Sequence, residues 1–111
     1  MGASDLRARR KDANHTEVGD FLRERGFSVL DLAQHGISCD YAVSCPGFAA
    51  LLEVKDGTKP PSARKLTPEE ERLKANWQGP YVLALDPVDA YSRLMAEKYL
   101  AHKTLCGAFD Q

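Results

Sequence analysis

Apolar positions along the chain alternate between two periods. Val18, Phe21 and Leu22 recur at spacings of three and four, which predicts a helix from Asp12 or Asn14 to about Arg25, closed by Gly26. Residues 27–32, rich in Phe, Val and Leu, read as a strand, and residues 34–38 as a polar turn around Gly36. Residues 40–45 and 48–55 read as two further strands joined by the turn signal Pro46-Gly47. Gly57, Pro60, Pro61 and Ser62 make residues 56–66 a loop. Thr67 then caps a helix that has Pro68 at its first position and Glu70 at the capping-box position. That helix runs to about Trp77 and is stopped by Gly79-Pro80. A short strand over residues 81–85 precedes a last helix, which starts at Asp86-Pro87, ends near Gly107 and carries Val88, Tyr91, Met95 and Tyr99 along one stripe. The order is α-β-β-β-α-β-α, with no internal repeat.

A chain of 111 residues and 12.3 kDa is sized for one domain. Its 43% hydrophobic and 28% charged residues exclude a fibrous or disordered composition. The longest apolar run, residues 48–52, is far short of the ~20 residues a membrane helix needs. The core of so small a domain is thin, so a homodimer is expected. Charge is uneven although the net is only −1. Residues 1–12 and 56–66 each carry +2, leaving −5 on the remainder. Two basic segments around an acidic body suit local contact with phosphates, or serve solubility alone. Residues 1–11 read as a basic, flexible arm and residues 12–111 as the single domain.

Cys39, Cys45 and Cys106 make an odd count without zinc spacing. Cys39 and Cys45 fall in one expected strand, roughly 20 Å apart when extended, too far for a disulfide. Reduced thiols and the lack of an apolar signal core in the first ten residues point to a cytoplasmic protein.

The Pro46-Gly47 turn sets a register. A hairpin centred on it pairs Cys45 with Phe48 and, counting outward, Asp40 with Glu53. Opposed side chains share a face with Cβ atoms about 4.5–5.5 Å apart. Two carboxylates so placed repel, and a divalent cation between them removes the objection; hard oxygen donors suit Mg²⁺ or Mn²⁺. Lys55 follows Glu53 by two and joins that face. A Glu-x-Lys at a strand end is otherwise an ordinary solvated edge.

With these residues in view, the chain resembles the PD-(D/E)XK nuclease superfamily, and most of all its small phage and prophage members of the Holliday-junction-resolvase-like or VRR-NUC-like type. The likeness is carried by Arg10-Lys11-Asp12-Ala13-Asn14 with Glu17, by residues 36–40, by Leu51-Leu52-Glu53-Val54-Lys55, by Lys59-Pro60-Pro61-Ser62, by Leu66-Thr67-Pro68-Glu69-Glu70, and by Trp77 and Gly79. It covers about residues 7–90. It implies a restriction-endonuclease-like α/β fold: an αβββαβ core with a mixed central sheet flanked by helices, here with an extra C-terminal helix. It further implies Mg²⁺ or Mn²⁺ held by Asp40 and Glu53 with the Val54 carbonyl, and Lys55 as the catalytic lysine. Glu17 would be an added catalytic or metal-binding glutamate; as a partner of Asn14 it is equally a helix-capping residue. Glu70 stands where related proteins often carry glutamine, and its capping position favours a structural role. Two residues depart from the pattern: Cys39 replaces the usual proline, and Tyr41 an aliphatic residue.

The expected function is thus a metal-dependent endodeoxyribonuclease acting on branched or double-stranded DNA in the cytoplasm of a bacterial host. It would need no organic cofactor and no membrane. The alternative is a catalytically weakened module of the same fold that binds DNA or a replication or recombination protein. Lys59, Arg64 and Lys65, on the loop after the third strand, and Arg9, Arg10 and Lys11, in the arm, are the expected DNA contacts; a solvated loop is the competing reading. Trp77 and Tyr81 are expected in the core, His15 on the surface and His35 in a loop. The Met95 and tyrosine stripe is expected to face the core or a dimer partner.

Overall fold

The computed structural model describes residues 13–109, with the side chains of residues 14–103. The expected basic arm, with Arg9, Arg10 and Lys11, lies outside the described residues, as does the Cys106 side chain. Among the described residues, seven regular elements occur in the predicted order: α1 (Ala13–Glu24), β1 (Ser28–Asp31), β2 (Tyr41–Cys45), β3 (Phe48–Val54), α2 (Pro68–Asn76), β4 (Tyr81–Ala84) and α3 (Pro87–Phe109). Short 3-10 turns occupy Ala33–His35 and Pro61–Arg64. The strands form one mixed sheet in the order β1-β2-β3-β4, antiparallel except for the parallel pair β3–β4. A parallel pair needs a crossover, which α2 supplies. The architecture is α/β, a four-stranded mixed sheet flanked by three helices.

The sheet's two faces differ. Alternate residues Phe48, Ala50 and Leu52 of β3 join Tyr41 and Val43 of β2, Val82 and Ala84 of β4, Val18 and Leu22 of α1, and Ala90 and Leu94 of α3 in the main core. Leu51 faces the other way, into a smaller cluster with Leu32 and Cys39, covered in part by Leu73 of α2 and Tyr81. Gly47, with φ of 79°, makes the β2–β3 turn in a conformation that costs glycine little. The pairing Cys45↔Phe48 through Tyr41↔Leu52 is the predicted register. Asp40 and Glu53 are the next residues outward, on the face toward α2.

Two expectations are corrected, and a third holds in part. The stripe on α3 meets the core through Tyr91 alone. Ala90 and Leu94, four apart, are fully buried, whereas Val88 and Tyr99 are both 63% exposed. The small Ala90 side chain lets the helix sit close to the sheet, and Val88, Met95 and Tyr99 are left exposed. Trp77 is exposed rather than core; its indole N–H donates to the Pro80 carbonyl at 3.0 Å, bracing the turn before β4. His15 is buried, not on the surface. Gly19 explains its burial in part: a Cβ there would lie 2.8 Å from the Tyr41 hydroxyl. The tyrosine ring therefore lies against α1, stacked on His15 at 4.1 Å between centroids.

Candidate active site

The hairpin delivers two carboxylates into a cavity of about 760 Å³. Its walls come from α1 (Asn14, His15), the segment after β1 (Ala33, Ile37, Ser38, Cys39, Asp40), the end of β3 with the adjoining loop (Glu53, Val54, Lys55, Asp56, Lys59), and the start of α2 (Thr67, Glu70). Asp40 and Glu53 are only 8% and 4% exposed, so each must be compensated locally. They compensate each other through the backbone. The Asp40 N–H donates to Glu53 Oε1 at 3.2 Å, and the Val54 N–H donates to Asp40 Oδ2 at 2.8 Å. The second oxygens face different basic groups. Asp40 Oδ1 lies 3.4 Å from His15 Nε2, and Glu53 Oε2 lies 3.4 Å from Lys55 Nζ.

Glu70 has two tasks. It completes the capping box of α2, with its Oε1 accepting from the Thr67 N–H at 2.8 Å and its own N–H donating to Thr67 Oγ1 at 3.2 Å. The same Oε1 accepts from Lys55 Nζ at 2.9 Å. The structural role expected from spacing is present, and so is a contact inside the cavity. Asn14 does not cap α1, which begins one residue earlier; its amide instead donates to the Leu85 carbonyl at 3.3 Å. Glu17 is exposed on α1 and is not among the residues lining the cavity. From the first helix it is His15 that meets the carboxylates. The Tyr41 hydroxyl sits 3.0 Å from His15 Nδ1 and donates to the His15 carbonyl at 2.8 Å, which fixes the ring.

The electrostatics reflect crowding. Burial first, then the charges of Asp40 and Glu70, push the Glu53 carboxyl up to about 8. Burial works against the Lys55 ammonium, but its bond to Glu70 and the charge of Glu53 outweigh it and hold its pKa above the usual value. Glu70 also resists burial: the Thr67 N–H and Lys55 bring its pKa below the usual value. Burial and the Glu53 charge push the Cys39 thiol up to about 12. That sulfur, where proline was expected, lies 3.4 Å from the Leu52 carbonyl and 3.6 Å from that of Tyr41, so it substitutes as a small buried residue with a weak donor.

Among the described residues, no group of three or more His, Cys, Asp and Glu side chains is arranged to hold a metal ion. The donor set nevertheless fits a hard cation. Mg²⁺ is commonly bound by one or two carboxylates and keeps several waters. Asp40 and Glu53 supply two carboxylates at one end of an open cavity, and Val54 lines it beside them. Of the expected DNA contacts, Lys59 lines the cavity, while Arg64 lines a different one and Lys65 is exposed beyond it. His35 is exposed in the first 3-10 turn. No helix among the described residues is long and apolar enough to cross a membrane. No protein-family model, curated protein or solved structure matches the chain.

Proposed function

We propose that the protein is a metal-dependent endonuclease that hydrolyses phosphodiester bonds of branched or double-stranded DNA, in phage DNA processing within a bacterial cytoplasm. The observation that carries this reading is the buried pair Asp40 and Glu53 sharing one cavity with Lys55. Like charges held together at buried positions are costly, and a divalent cation is the chemistry that makes them favourable. Asp40 and Glu53, with the Val54 carbonyl, would hold Mg²⁺ or Mn²⁺, which when bound supplies Lewis-acid polarisation and a water of lowered pKa. Lys55, tethered by Glu70, places a fixed positive charge where negative charge develops on the phosphoryl oxygens. Lys59 at the rim offers an ammonium to a flanking phosphate. Water adds to phosphorus, the bond to the 3′ oxygen breaks, and a proton passes to that leaving oxygen. The products carry 5′-phosphate and 3′-hydroxyl ends. A homodimer would present one site to each strand.

The test is cleavage of flap, four-way-junction and linear duplex DNA with Mn²⁺. Asp40→Asn is expected to lose at least about a hundredfold in rate, and unchanged cleavage by that variant would remove the reading. A second reading is a nuclease-fold module that binds DNA without cutting it. It is favoured by Cys39 in the proline position and by Glu17 lying outside the cavity. Calorimetric titration with Mn²⁺ separates the two. No metal uptake alongside salt-sensitive DNA binding selects the module.

A further inference from the structure

A second cavity, of about 310 Å³, opens beside the free edge of the sheet at β4. It is lined by Pro61, Arg64, Leu83, Leu85 and Arg93. Arg64 comes from the 3-10 turn that succeeds β3, and Arg93 from the second turn of α3. The two arginines therefore line one cavity from positions 29 residues apart in sequence. Arg64 Nε is shut off from solvent and donates to nothing among the described residues. An unpaired buried donor on a charged group is costly. Arg93 Nε is held by Asp89 Oδ1 at 2.8 Å, and the Asp89 carboxylate also accepts from the Leu85 N–H at 2.9 Å. Arg93 is thus oriented by its Nε, which leaves the fork of its terminal amino groups as the surface it offers. Leu83 and Leu85 supply apolar walls, which strengthen any charge interaction in the cavity.

Two cationic forks in one cavity repel each other, and one has a buried donor without an acceptor. A tetrahedral oxyanion offsets the repulsion, because arginine pairs with phosphate through two parallel N–H···O bonds. We propose that Arg64 and Arg93 form a phosphate-binding subsite that anchors the DNA backbone beside the cleavage cavity. The loop between β3 and α2 connects the two places: Asp56 and Lys59 line the larger cavity, and Pro61 and Arg64 the smaller. A strand lying along this loop would meet Lys55, Lys59 and then the arginine pair. The subsite rests on the nucleic-acid part of the proposed function, but it is tested without any cleavage.

The experiment is fluorescence anisotropy of a labelled duplex in EDTA, titrated over a range of salt concentrations. Arg64→Gln and Arg93→Gln are each expected to weaken binding severalfold and to lower the log–log salt slope by about 1. Arg64→Lys is expected to retain the slope but lose affinity, because it keeps the charge and not the fork. Arg72→Gln, exposed on α2, is the control for diffuse charge. Thermal melts check that each variant folds, since Arg93→Gln also releases Asp89. Wild-type affinity and slope in Arg64→Gln would overturn the proposal, as would an equal loss in Arg72→Gln. Stabilisation by inorganic phosphate that depends on Arg64, with DNA binding unaffected, would also overturn it, by assigning the cavity to a free anion. A wild-type protein that cuts no DNA yet shows the Arg64 and Arg93 effects would keep the subsite and remove the nuclease reading.

Discussion

Replacing Glu53 with Gln isolates the cost of the carboxylate pair. The substitution keeps the shape and an acceptor for the Asp40 N–H, and it removes one negative charge from a residue 4% exposed. In the metal-free protein, burial and its acidic neighbours raise the Glu53 pKa from 4.5 to about 8. A pKa higher in the folded than in the unfolded chain means that the folded state holds its proton more tightly. The stability linked to that proton is fully present below pH 4.5 and is lost as pH rises through about 8. At about 1.4 kcal/mol per unit, the loss reaches a few kcal/mol, with about 5 kcal/mol as the ceiling. Glu53→Gln carries no such proton. In EDTA its denaturation midpoint should match wild type near pH 4.5. It should exceed wild type at about pH 9, with a melting temperature on the order of 10 °C higher there. Adding Mg²⁺ should stabilise wild type but not the variant. Below about pH 8, metal binding to wild type should release close to one proton, read from calorimetry in two buffers of different ionisation enthalpy. A stability difference that stays flat across this pH range, or a variant less stable than wild type at about pH 9, would refute the reasoning.

Packing gives two further outcomes. Gly19→Ala gains about 1 kcal/mol of helix propensity but drives a methyl into the buried Tyr41 ring, so a net loss of about 1 kcal/mol is expected in chemical denaturation. In a Tyr41→Phe background, which removes the nearest atom, the same change should turn neutral or stabilising. Thr67→Ala takes one bond from the capping box and should cost about 1 kcal/mol in thermal melts. It should leave DNA cleavage within a few-fold of wild type, whereas Glu70→Ala should lose both stability and rate, because Lys55 loses its nearest carboxylate.

Local chemistry explains which features are legible in the chain. Pro46-Gly47 sets a turn, and the turn sets which residues oppose one another, so the meeting of Asp40 with Glu53 is arithmetic on fourteen residues. Thr67, Pro68 and Glu70 start a helix by hydrogen bonds within four residues, which spacing alone predicts. His15 escapes such reasoning because its burial depends on Tyr41, 26 residues away. A lone histidine in a polar helix turn carries no mark of that contact. Gly19, one turn further along the same helix, is the available sign of a close approach. The α3 stripe misleads because bulk is a poor guide to burial there. The small Ala90 and Leu94 are fully buried, Tyr91 packs at the core's margin, and Val88, Met95 and Tyr99 are left outside. The second task of Glu70 and the cavity shared by Arg64 and Arg93 arise only once the crossover has folded back onto the sheet.

Glu53 accepts from the Asp40 N–H and Asp40 from the Val54 N–H, across separations of only 13 and 14 residues. Closing so short a loop is quick and entropically cheap, and it requires no other part of the molecule. The Asp40 and Glu53 pair is therefore a product of one zipped ribbon, held by contacts local to it. Lys55 comes with that ribbon, whereas the histidine and the arginine pair arrive by long-range assembly. Damage to distant packing would scatter those basic partners first and leave the acidic knot tied.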